Sequence, residues 1–111
     1  MRTIRVKSEE EFTTLVNNYD FRIVEAIVEG ALSNLKTKKR FIHILEVEIY
    51  NDNEVYDLTL DRSEILFSLQ NNLKHYEKHE LYEKCQEIVK AIKYLEKKEK
   101  KDGKKINISY P

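Results

Sequence analysis

The sequence predicts an α+β fold: a small antiparallel sheet built on a central β-hairpin, packed by four helices, with a C-terminal helical hairpin. Three observations lead there. Residues 41–50 and 55–60 are runs rich in branched and aromatic residues, joined by Asn51-Asp52-Asn53-Glu54, which supplies turn chemistry. Apolar residues recur at helical spacing on both sides of that hairpin. Ser8 and Asp61 each precede an acidic residue three positions on, the pattern of a helix start.

The elements follow in order. Residues 2–7 alternate, with Ile4 and Val6 on one face and Thr3, Arg5 and Lys7 on the other, which reads as a short strand. Ser8-Glu9-Glu10-Glu11 is a capping box opening a short helix with Phe12, Leu15 and Val16 inward. Asp20 caps a second helix running to about Leu35, whose stripe is Val24, Ile27, Val28, Ala31 and Leu35, widened by Ile23 and Leu32. Gly30 inside it costs up to about 1 kcal/mol relative to Ala, so another element is expected to come close there. The basic loop Lys36-Thr37-Lys38-Lys39-Arg40 ends this helix. In the hairpin, Phe41, Leu45, Val47 and Ile49 are expected to share a core face with Leu58 and Leu60.

Asp61-Arg62-Ser63-Glu64, a second capping box, opens a helix with Leu66, Leu69, Leu73 and Tyr76 inward. After a break near Lys78–Glu80, a last helix runs from about Leu81 to Lys98. Its stripe of Leu81, Cys85, Ile88, Ile92 and Leu95 has the 4-3-4-3 spacing of a helix packed along a partner helix. Asp102-Gly103 is expected to stop it, and Ile106, Ile108 and Tyr110 then alternate as an edge strand. The 111 residues form one domain: a mixed part over 1–60 with the β-hairpin at 41–60, a helical hairpin over 61–101, and a tail or edge strand over 102–111.

Composition narrows the function classes. Formal net charge is zero, yet residues 90–105 carry eight lysines against three acids, so that stretch is basic and the remainder acidic. This argues against an acidic DNA mimic and against a wholly basic coat protein, and leaves room for one basic patch. Cys85 is the only cysteine, which excludes an intrachain disulfide or a thiolate cluster and points to a reducing, cytoplasmic setting. The first residues lack the apolar core of a signal peptide, and no run reaches 18 apolar residues, so no membrane association is expected. Phe, Tyr, Met, Ile, Asn and Lys total 46 residues while Gly, Ala, Arg and Pro total 11, a bias expected of an AT-rich genome such as a low-GC bacterium or its phage.

In the segment Glu80-Leu-Tyr-Glu-Lys-Cys-Gln-Glu-Ile-Val-Lys-Ala-Ile-Lys-Tyr-Leu95, residues Tyr82, Glu83, Cys85, Ile88, Ile92 and Leu95 fit an aromatic–Glu–small–aliphatic pattern. Residues 66–96 thereby resemble the UVR motif, the helical hairpin of the excision-repair proteins UvrB and UvrC. Gln86 stands where that pattern has a second small residue, and Val89-Lys90 where it has Arg-Asp. The resemblance implies a protein-docking module without catalysis.

Each candidate chemical site has a plainer reading beside it. His75 and His79 are four apart, as zinc-binding imidazoles on one helix face are, but Tyr76 follows His75 where a metalloprotease has its Glu; solvated histidines at a helix end are the simpler account. Glu46, Glu48 and Asp57 can share the outer face of the hairpin and hold Mg²⁺ for phosphodiester hydrolysis, or merely solvate the sheet. His43 reads as a core or boundary histidine, Cys85 as a small core hydrophobe. Two isolated glycines, Gly30 and Gly103, cannot make a phosphate loop. Lys97, Lys98, Lys100, Lys101, Lys104 and Lys105 can bind phosphates, joined by Lys36, Lys38, Lys39 and Arg40 if the fold brings them together, with Tyr94 and Tyr110 as stacking rings.

The expectation is a small non-enzymatic interaction or regulatory protein that docks on a protein partner, or on a second copy, through its helical hairpin. It needs no catalytic residue, metal or cofactor. A nucleic-acid-binding regulator using the basic 97–105 stretch is the alternative, and a metal-dependent hydrolase the third reading.

Overall fold

In a computed structural model, which describes the backbone of residues 2–108 and the side chains of residues 2–100, three strands form one sheet in the order β1-β2-β3. They are β1 (Thr3–Val6), β2 (Phe41–Ile49) and β3 (Glu54–Asp61), accompanied by helices α1 (Glu9–Asn17), α2 (Phe21–Ser33), α3 (Ile65–Lys78) and α4 (Tyr82–Ile108). The fold is α+β, with α3 and α4 forming the C-terminal helical hairpin. The sheet is mixed rather than wholly antiparallel: β1 runs parallel to β2, with Ile4 beside Val47 and Val6 beside Ile49, while β2 and β3 form the antiparallel hairpin. Parallel pairing needs a long crossover, and α1 and α2 supply it.

Local chemistry sets the helix starts. The Glu11 amide donates to Ser8 Oγ (3.2 Å), and the Glu11 carboxylate accepts from the Lys7 amide (2.8 Å), one residue further back than a standard capping box. Asp20 caps α2 by accepting from the Arg22 amide (3.0 Å) and binds the Arg22 guanidinium as well, which lowers the Asp20 carboxyl below its ordinary range. Asp61 accepts from the Ser63 amide and hydroxyl and not from Glu64, so in place of the expected capping box it opens a 3₁₀ turn (Arg62–Glu64) from which α3 continues.

One extra residue in β2 decides which side chains enter the core. The β2–β3 register shifts between His43 and Leu45. Before this bulge Ile42 and Ile44 point inward; after it Leu45, Val47 and Ile49 do. Phe41 is therefore 58% exposed, not in the core as its alternation with Leu45 suggested, and His43 shares its outward phase. The inward side meets α2 at Gly30, where a Cβ would lie 2.6 Å from Ile44 Cδ1, the close approach that the glycine foretold.

A single apolar cluster runs from β1 to α4 and includes Val6, Val28, Ala31, Leu45, Leu69, Tyr76, Cys85 and Ile88. α2 lies on the sheet, α3 on α2 and α4 on α3. Val16 and Leu81, expected inward, are 43% and 41% exposed. Leu95 is the last residue of α4 packed against the core among the described side chains. The helix itself continues through Asp102-Gly103 to Ile108, so no stop forms there and no edge strand at Ile106 and Ile108; Tyr110 lies outside the described residues. This projection makes the molecule elongated, 58 × 33 × 22 Å, with a radius of gyration of 16.5 Å against about 13 Å for a compact chain of this length.

Candidate functional site

Each histidine at the end of α3 packs on an aromatic residue flanking the α1–α2 turn. His75 stacks on Tyr19 (centroids 4.6 Å) and His79 lies against Phe21 (4.3 Å). Burial, with help from Lys74 and Lys78, pushes the His75 pKa down. On the outer sheet face Glu46 is opposite Asp57, but Glu48 is bound to Arg5 (2.7 Å), and His43 Nδ1 is 4.0 Å from Asp57. Among the described residues no group of three or more His, Cys, Asp or Glu side chains is arranged to hold a metal ion. Cys85 sits buried between the helices, and desolvation raises its pKa, which keeps it a thiol.

The two basic segments lie at one end of the molecule. Arg62 holds the loop after α2: its guanidinium donates to the Asn34 carbonyl (3.0 Å), to Thr37 Oγ1 (2.6 Å) and to the Lys39 carbonyl. The same loop brings Lys36 Nζ within 6.0 Å of the Tyr94 ring centroid on α4. Lys38, Lys39 and Arg40 are exposed on the loop, Lys97, Lys98 and Lys100 on α4. Lys101, Lys104 and Lys105 continue the helix beyond the residues whose side chains are described.

The opposite end is acidic. Glu80, with φ of 57°, makes the sharp reversal between α3 and α4, and the Leu81 amide closes the turn onto the Tyr76 carbonyl (3.1 Å). Beside this tip, between α2 and α4, lies an open cleft of about 710 Å³ that presents Glu25, Glu29, Glu80, Glu83 and Glu87. Among the described residues Lys84 is the one cation lining it, bridging Glu87 (2.8 Å) and Glu29 (2.9 Å), which together raise the Lys84 pKa well above the ordinary lysine value. Arg2 reaches Glu25 from the side (2.7 Å). Leu81 and Tyr82 expose apolar surface at the rim. Tyr76 lines the cleft although only 2% exposed, and its buried hydroxyl has no hydrogen-bond partner. Desolvation and the nearby carboxylates of Glu29 and Glu25 push its pKa up to about 12.

This cleft was not among the sequence candidates. Its signals were two acidic stripes at helical spacing, Glu25–Glu29 and Glu80–Glu83–Glu87, which only the packing of α4 beside α2 brings together. A smaller apolar crevice of about 250 Å³ lies between α1 and β3, over Phe12, Val47 and Leu58. Tyr56 crosses its edge by hydrogen-bonding Glu9 (3.0 Å) and Glu54. Comparison with known protein families, curated proteins and solved structures returned no match. Among the described residues no helix is long and apolar enough to cross a membrane.

Proposed function

We propose that the chain is a small non-enzymatic interaction protein of the cytoplasm that docks on a protein partner through the tip of its helical hairpin. The observation that carries this reading is the tip itself, where exposed Leu81 and Tyr82 adjoin a cleft with five carboxylates and one lysine. Apolar anchors beside unneutralised charge suit a partner segment that is basic and carries apolar side chains. The a/d stripe of α4 supports the reading only indirectly: Cys85, Ile88, Ile92 and Leu95 are consumed in packing on the core, so the ridge fixes the tip and leaves recognition to the flanking residues. The UVR-like pattern over 66–96 belongs to the same proposal, since Cys85, Ile88, Ile92 and Leu95 of it pack the hairpin while Tyr82 and Glu83 lie at its tip.

The test is capture from extracts of the encoding cells with full-length wild-type bait, beside bait carrying Leu81→Asp and Tyr82→Ala. Both residues are exposed, so circular dichroism is expected to be unchanged. A partner held by wild type and lost by the variant supports tip docking; equal retention by both baits contradicts it.

The second reading, a nucleic-acid-binding regulator, is favoured by the approach of Lys36 to Tyr94, which sets a basic loop beside the basic end of α4. It predicts RNA or DNA binding that falls steeply with salt and with Lys97, Lys98 and Lys100 changed to Glu. Undetectable binding at low salt removes it.

A further inference from the structure

We propose that the acidic cleft at the hairpin tip receives the lysine-rich end of α4 from a second copy of this chain, so that two α4 helices lie antiparallel and each fills the other's cleft. The inference rests on the reading of the tip as a docking surface and names its occupant.

Three observations carry it. First, the cleft is under-neutralised: Glu29 and Glu87 share Lys84, Glu25 takes Arg2, and among the described residues Glu80 and Glu83 have no ion pair. Second, the Tyr76 hydroxyl is buried at the cleft without a partner. An ammonium group supplies what that oxygen lacks, a donor whose charge the surrounding carboxylates favour. Third, the same chain carries the complementary charge on the same helix. Residues 97–105 hold six lysines, and α4 runs on to Ile108 while its last described core contact is Leu95.

The spacing is self-complementary. A two-fold axis at Ile92 sets Glu87 opposite Lys97 and Glu83 opposite position 101, which is also lysine. It also sets exposed Lys90 against exposed Tyr94 of the other copy, a cation–π pair at the centre. Because each copy gives a basic end and takes one, the contact closes as a symmetric dimer and does not propagate.

Light scattering and sedimentation of the full chain at 50 and 500 mM NaCl test this, with two charge-reversal variants. One carries Glu83→Lys and Glu87→Lys, the other Lys97→Glu and Lys101→Glu. Wild type is expected to dimerise, with the dissociation constant rising at least about tenfold at the higher salt. Each variant alone is expected to lose at least about tenfold in affinity, and an equimolar mixture to recover it, because the two all-basic and all-acidic helices then match at both ends. Tyr76→Phe is expected to weaken the dimer several-fold with no loss of folding stability. A strict monomer at low salt overturns the proposal while leaving tip docking on another protein to the capture experiment. A dimer indifferent to both variants, or folded variants that fail to rescue each other, overturns it equally.

Discussion

Gly30 and Ile44 show how one atom sets a residue's identity. Alanine at 30 gains up to about 1 kcal/mol of helix propensity, but its Cβ would sit 2.6 Å from Ile44 Cδ1, and overpacking costs about 1–3 kcal/mol. The net prediction for Gly30→Ala is a loss of about 1 kcal/mol in urea unfolding. Ile44→Val removes the offending methyl, so adding Gly30→Ala to Ile44→Val is expected to cost nothing further. Tyr76 presents the opposite case, a polar atom with no structural partner. Tyr76→Phe is predicted to keep or raise stability by up to about 1 kcal/mol, since the buried hydroxyl makes no bond in the free chain. In wild type its phenol pKa lies above that of an unfolded tyrosine, so the unfolded chain ionises first and stability falls as pH climbs from about 10 toward 12. His75 titrates in the other direction. Burial lowers its pKa, so the unfolded chain takes up the proton first and stability falls as pH drops below about 6.5, before carboxylates contribute near pH 4. His75→Phe keeps the stack on Tyr19 and is predicted to flatten that slope; a slope unchanged in the variant contradicts the assignment.

At the scale of elements, what could be read in advance followed the strength of each periodic signal. The caps at Ser8 and Asp20, the β-hairpin and the break at Glu80 were legible because turn and cap residues have short-range chemistry of their own. The bulge in β2 was not. Phe41, Ile42, Ile44 and Leu45 are apolar in both alternating phases, so either face of the strand's first half could turn inward, and contact with α2 decides it. The length of α4 was missed for a related reason. Three alternating residues suggested a strand, but a lysine-rich segment has good helix propensity and a single glycine costs only about 1 kcal/mol. The acidic cleft escaped because its carboxylates come from α2 and from the α3–α4 turn and start of α4, more than fifty residues apart in sequence. Arg62 offers a test at this scale: by tying the Asn34 and Lys39 carbonyls and Thr37, it fixes the basic loop. Arg62→Ala is predicted to cost about 2 kcal/mol and to speed limited trypsin cleavage at Lys36, Lys38 and Lys39. Unchanged cleavage would show that the loop is held by other means.

Over the whole molecule, a net charge of zero conceals a separation, acidic at the hairpin tip and basic at the far end of a helix that projects past the core. Such a molecule presents two surfaces of opposite sign, and both proposed contacts weaken as salt screens them. The core needs neither surface, since its apolar cluster is assembled within one chain. Docking is therefore predicted to be separable from folding, with Glu83→Lys and Glu87→Lys weakening association at least about tenfold at unchanged melting temperature. Amide chemical shifts of the ¹⁵N-labelled full chain, followed through a dilution series at low salt, address most directly the claim that the tip and the basic end of α4 meet in a symmetric pair. Changes confined to Glu25, Glu29 and residues 76–87 of the cleft, to Lys90 and Tyr94, and to the lysine-rich end of α4 are predicted. Shifts centred instead on the outer sheet face around Glu46 and Asp57, or none at all, would contradict it.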